Sequence, residues 1–167
     1  MGTETSAGIP GSDRQLLRHC VATLAYRAGK ALRGAPEGFG EYRIAKVTRS
    51  AGEILAHMGD LLDWTLWMAQ GKREWHDSKP LPWAQEVQRF FTALAALDAY
   101  LAMETPLQAS PEKLFQGPVA DSLTHVGQIA TLRRLAGSPV RGENYLLADI
   151  VIGRVGPEQS APRREFD

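Results

Sequence analysis

Near the C-terminal end of this chain, the run "VADSLTHVGQIATLRRLAG" (119–137) sets Asp121 and His125 four residues apart, with Gln128 a turn further on. At 100° per residue these three and Leu132 share one narrow helix stripe. A carboxylate facing a packed core is costly unless it is paired, hydrogen-bonded or bound to a metal. In an earlier helical run, His57 stands at the centre of a stripe of Ile54, Leu61, Trp64 and Met68, and it too needs a partner. Each residue also has a plain reading. A core histidine can be satisfied by hydrogen bonding, and an Asp and a His at this spacing can form a surface pair. Together they offer one histidine from one helix and an Asp-x-x-x-His pair from another. Bundles build metal sites from carboxylate and imidazole side chains on facing helices, and a two-histidine, one-carboxylate set leaves coordination positions open.

Four helices are expected to position these groups. The first runs from about Asp13 to Leu32, with Asp13 as N-cap and Gly34 as stop. A Gly- and Pro-punctuated connection follows, "GAPEGFGEYRIAKVTR". The second helix starts at Ser50, whose spacing to Glu53 is that of a capping box, and ends near Gln70 before Gly71. After the linker "GKREWHDSKPLP", the third begins at Pro82 and reaches about Met103; the fourth runs from about Pro118 to Ala136. This is an all-α chain, a four-helix bundle with long connecting loops and an irregular C-terminal segment. The loops exceed what an up-down-up-down bundle needs, which leaves the connectivity open. Residues 1–12 read as a disordered start, 13–156 as one domain and 157–167 as a tail.

The remaining polar residues carry weaker signals. His19 has no second ligand at helical spacing, and His76 in the linker reads as an exposed loop residue. Asp60, three residues after His57, reads as solvated, with orientation of the His57 ring as its alternative. Leu55, Leu62 and Leu66 form a second apolar row on the same helix, suited to core or to a subunit interface.

The 167 residues fit one domain with a sizeable core, at 44% hydrophobic and 23% charged. With 19 basic and 19 acidic residues there is no basic excess to neutralise phosphates, so nucleic acid is not an expected partner. No apolar run is long enough for a membrane span, and the first residues lack a signal-peptide pattern. A single cysteine, Cys20, fits a reducing cytoplasm.

Two segments, "RSAGEILAHMGDLL" and "DSLTHVGQIATLRRLAG", resemble the DinB-like (DinB/YfiT-like) family of small bacterial four-helix proteins. "GFGEYRIAKVTR" and "SPVRGENYLLADIVIGRVG" extend the similarity over most of the chain. The resemblance implies a divalent metal held by His57, Asp121 and His125, a homodimer, and an activity like that of relatives that transfer or depend on low-molecular-weight thiols. A metal-bound thiolate would attack an electrophilic small molecule, with Trp64 and Gln128 shaping the pocket and Tyr145 closing over it. A non-catalytic, metal-stapled bundle is the alternative. The family commonly has histidine where this chain has Asp121. Three imidazoles suit zinc or nickel, and the carboxylate moves preference towards iron(II) or manganese. It also leaves Asp121 a second role, as the partner that holds His125.

Overall fold

The structure is a computed structural model that describes residues 11–166; most of the segment expected to be a disordered start, residues 1–10, lies outside them. The long helices are α1 (Ser12–Leu32), α2 (Ala51–Ala69), α3 (Trp83–Ala102) and α5 (Ala120–Leu135). A short α4 (Pro111–Leu114) runs through a π-helical turn (Phe115–Val119) into α5. Among the described residues no strand forms, and Glu143 and Glu165 make one isolated antiparallel bridge. The chain is all-α.

Local chemistry explains most helix ends. Ser50 caps α2 by accepting from the Glu53 N–H at 3.2 Å, while the Glu53 carboxylate accepts from the Ser50 N–H at 2.6 Å; the capping box forms as expected. Gly71, at φ +81, closes α2 in a Schellman motif, with the Lys72 N–H on the Trp67 carbonyl at 2.8 Å and the Gly71 N–H on the Met68 carbonyl at 3.0 Å. Two starts differ from expectation. Gly11, not Asp13, occupies the N-cap of α1, and Asp13 sits within its first turn beside the positive end of the helix dipole. The last helical stretch begins at Pro111, after Ser110, and Pro118 lies inside it. Proline lacks an N–H and its ring crowds the carbonyl four residues back, so the wider π turn accommodates it without breaking the helix.

Packing settles the connectivity. Helix α1 packs on α3 and α5, and α2 also packs on α3 and α5. Consecutive helices α1 and α2 are therefore not packing neighbours, and neither are α3 and α5. The connections 33–50 and 103–110 lead to the helix diagonally across the core, which is why both are long. Leu24, Leu55, Met58, Leu62, Phe90 and Leu94 are fully enclosed. Leu55 and Leu62 thus belong to the chain's own core, with Leu66 packed partly buried against it, so this row is not a free subunit face.

The C-terminal segment is irregular but tied down. Glu143 accepts from Tyr26 Oη at 2.6 Å and Lys30 Nζ at 2.8 Å, and Lys30 also reaches Glu165 at 2.6 Å. The Asn144 N–H donates to the Arg164 carbonyl at 3.0 Å and the Phe166 N–H to the Gly142 carbonyl at 2.8 Å. The stretch read as a tail therefore doubles back onto 142–144.

Arg133 is the strongest single tie between the last helix and the first. It is buried, and donates to the carbonyls of Ala31, Arg33 and Gly34 at 2.9 Å each, and to Ser138 O and Oγ at 3.0 and 2.8 Å. It satisfies the last carbonyls of α1, which no helical N–H can reach. Arg133→Met keeps the stem and strips the donors, so urea denaturation should show a loss of about 2–4 kcal/mol; an unchanged midpoint would contradict this role.

Candidate metal centre

Because α2 and α5 pack side by side, His57 on one meets Asp121 and His125 on the other. His57 Nε2 lies 3.7 Å from Asp121 Oδ2, and His125 Nε2 lies 3.5 Å from Asp121 Oδ1. The two imidazole rings stand edge to face, with centroids 5.0 Å apart and planes at 88°. Each of the three residues offers one ligand atom within 4.8 Å of the others. Ligand atoms about 2.1 Å from a tetrahedral ion are roughly 3.4 Å apart, so the two His–Asp spacings fit a shared cation to within a few tenths of an ångström. They are too long for good hydrogen bonds, and Asp121 does not satisfy either ring nitrogen.

Gln128 sharpens the fit. Its Oε1 lies 2.8 Å from His125 Nδ1, a contact that favours the tautomer with the proton on Nδ1 and places Nε2 towards the cluster. His125 is buried, His57 half-buried, and the Asp121 side chain 48% exposed. The cluster is therefore open on the Asp121 side. Burial pushes the His57 imidazole below the ordinary histidine value; the Arg49 guanidinium and the His125 ring act the same way, and Asp121 and Asp60 oppose them. A neutral imidazole is the form that binds a cation.

The linker supplies a wall that sequence reasoning missed. Trp75 sets its ring against His57 at 5.9 Å and against Trp64 at 5.6 Å. Trp64 thus stands behind Trp75, and it shares a shallow cavity of about 440 Å³ with Asp121. Asp60 holds the linker in place, and it is not solvated, being 2% exposed. Its carboxylate accepts from the Ser78 N–H at 2.9 Å and Arg89 Nη1 at 3.0 Å. His76, also not a free loop residue, bridges Ser78 Oγ at 3.0 Å and Asp63 at 3.2 Å. Gly59 makes the approach of Arg89 possible, since a Cβ there would fall 2.7 Å from the guanidinium. Asp60, Asp63 and His76 form a second group with metal-like spacing, but Arg89 already neutralises its central carboxylate.

The other sequence candidates divide. Gln128 both orients His125 and lines a cavity of about 760 Å³ beside it. Tyr145 is placed against α1, edge-on to Tyr26 at 6.3 Å and under the Arg27 guanidinium at 4.4 Å. Comparison with family models, curated proteins and solved structures finds no match to this chain.

Two outcomes are expected. Gln128→Leu removes the acceptor that orients His125, and competition against a chelating dye should show zinc affinity about 10- to 100-fold weaker with an unchanged far-UV spectrum. Near pH 6 the folded metal-free chain binds fewer protons at His57 than the unfolded chain does. Its stability should therefore rise with pH between about 5 and 7, and fall as the pH drops through the depressed His57 value. Thermal melts across that window should give a shallower slope for His57→Gln.

Proposed function

We propose that this chain is a divalent-metal enzyme, a four-helix bundle of the DinB-like kind, in which His57, Asp121 and His125 hold the ion and a low-molecular-weight thiol is transferred to an electrophilic small molecule. The observation that carries it is the convergence of two imidazoles and one carboxylate, with His125 oriented by Gln128 and burial pushing the His57 imidazole below its ordinary value. When bound, the cation supplies stabilisation of a thiolate, the nucleophilic form of a thiol. Three protein ligands leave room for such a guest. The mixed donor set admits zinc, nickel, iron or manganese.

The chain's own groups do the rest. Gln128 holds the His125 proton on the outward nitrogen, and Trp75 covers one edge of His57 against water. Burial pushes the Cys20 thiol up, which suppresses its thiolate, and Cys20 faces α4 across a separate groove. The nucleophile of this reaction therefore comes from a second substrate rather than from the chain. A reducing cytoplasm is the compartment proposed, and no helix among the described residues is long and apolar enough to cross a membrane. The resemblance that suggests this activity also suggests a homodimer.

One feature favours a second reading, a metal that only staples the fold: His57 belongs to α2 and the other two ligands to α5, so an ion joins two helices. Elemental analysis and a coupled assay separate the cases. Purified protein is expected to carry about one equivalent of metal, lost in His57→Ala, and to conjugate 1-chloro-2,4-dinitrobenzene with added thiols, a turnover lost in His125→Ala while its circular dichroism persists. Bound metal that raises Tm without turnover across a thiol panel selects the staple, and equal substoichiometric metal in wild type and His57→Ala refutes the site.

A further inference from the structure

The cavity of about 760 Å³ beside His125 lies within the size range of small-molecule sites, and its lining has an uneven chemistry. Ile54 and Leu132 form buried walls, and Ile44 and Leu135 an exposed apolar rim. Three threonines also line it, but each already donates its hydroxyl to a backbone carbonyl: Thr48 to Ala45, Thr124 to Ala120 and Thr131 to Gly127, at 2.8, 3.1 and 2.9 Å. No acidic side chain lines the cavity, and Arg49 is its one fixed charge.

Arg49 is free to bind. It makes no hydrogen bond or ion pair among the described residues, because the nearby Glu53 carboxylate is taken by Arg43 at 3.3 Å and by the α2 cap. Arg49 also lines the neighbouring cavity, which His57 lines as well, so it borders the space beside each histidine of the cluster. The carboxylates near Arg49, those of Glu53, Asp60 and Asp77, line that neighbouring cavity, and none lines the larger one. Such a positive charge beside an apolar wall selects a ligand with one anionic group on an apolar body.

We propose that the electrophile taken at this site is an amphipathic carboxylate, its carboxylate held by Arg49 and its apolar body laid along Ile54, Leu132 and Leu135. This rests on the metal reading of the same cluster, and it makes Arg49 the residue that sets specificity. Gly127 gives a clean way to block the cavity: it lines the space, is exposed, and a Cβ there meets nothing within 4 Å.

The test titrates full-length protein, as purified and zinc-loaded, with octanoate, octanol and octylammonium by calorimetry. Octanoate is expected to bind best, with Arg49→Gln weakening it at least tenfold and leaving octanol unchanged. Gly127→Leu should weaken both without lowering Tm. Octanoate binding no tighter than octylammonium, or equal in wild type and Arg49→Gln, overturns the proposal. Zinc content measured on the same samples keeps the two readings apart: octanoate selectivity lost in Arg49→Gln at full zinc occupancy supports this inference, while a chain that holds no zinc yet keeps that selectivity defeats only the metal reading.

Discussion

Asp60 places a carboxylate inside the packed helices, 2% exposed. A carboxylate shut away from water costs several kcal/mol unless its oxygens are fully engaged, and this one is met from two directions. Arg89 comes from α3 and the Ser78 N–H from the linker. Much of the site's surroundings follows from that requirement. Arg89 lies close over Gly59, where a side chain would push its guanidinium aside, and it spans onto the Ala56 carbonyl and Glu86. The linker, held by Ser78 and His76, is left with Trp75 lying over His57. One buried charge on α2 thus fixes α3, a loop and an aromatic cover at once.

The same carboxylate separates two groups that spacing alone would make equivalent. Asp60, Asp63 and His76 share their close spacing with His57, Asp121 and His125, with two carboxylates and one imidazole in place of two imidazoles and one carboxylate. They also differ in what else touches them. Asp60 already faces a guanidinium and a backbone N–H, so a cation there would have to compete with a fixed positive charge. Asp121 pairs with no arginine among the described residues, and Arg49 lines the two cavities beside the cluster without an ion pair. One group is consumed in holding a loop, and the other is left with unspent lone pairs.

Much of this was legible in the residue order, and the limits are instructive. The Ser50–Glu53 box, the Gly71 stop and the Asp121–His125 pairing all depend on neighbours within one or two helical turns, where spacing is a sufficient guide. His57 could be matched with that pair only because both stripes looked dry. The fates of Asp60, His76 and Trp75 depend on contacts between α2, α3 and a linker, and nothing local marks them. Trp75 beside a histidine, in a loop otherwise charged, was the available hint. Tyr145 misled for the same reason, since its partners, Tyr26 and Arg27, lie far away on α1. Gln128 was noticed for its stripe, but its role as acceptor for His125 needs the ring orientation, which periodicity does not contain.

Pro118 connects these strands. Read as a helix start, it would let α5 begin wherever its own caps allowed. Placed inside a continuous helical run from Pro111, it forces a π turn, and each such turn inserts one residue beyond the α repeat. Residues downstream are then rotated by about 100° relative to those upstream. Leu114 stays in the core on one side of the turn, and Asp121 and His125 come round to meet His57 on the other. Without the extra residue, a helix anchored by Ser110 and Leu114 would turn a different stripe towards α2. The aim of the cluster is therefore set ahead of it in the chain, by a proline that cannot donate a hydrogen bond.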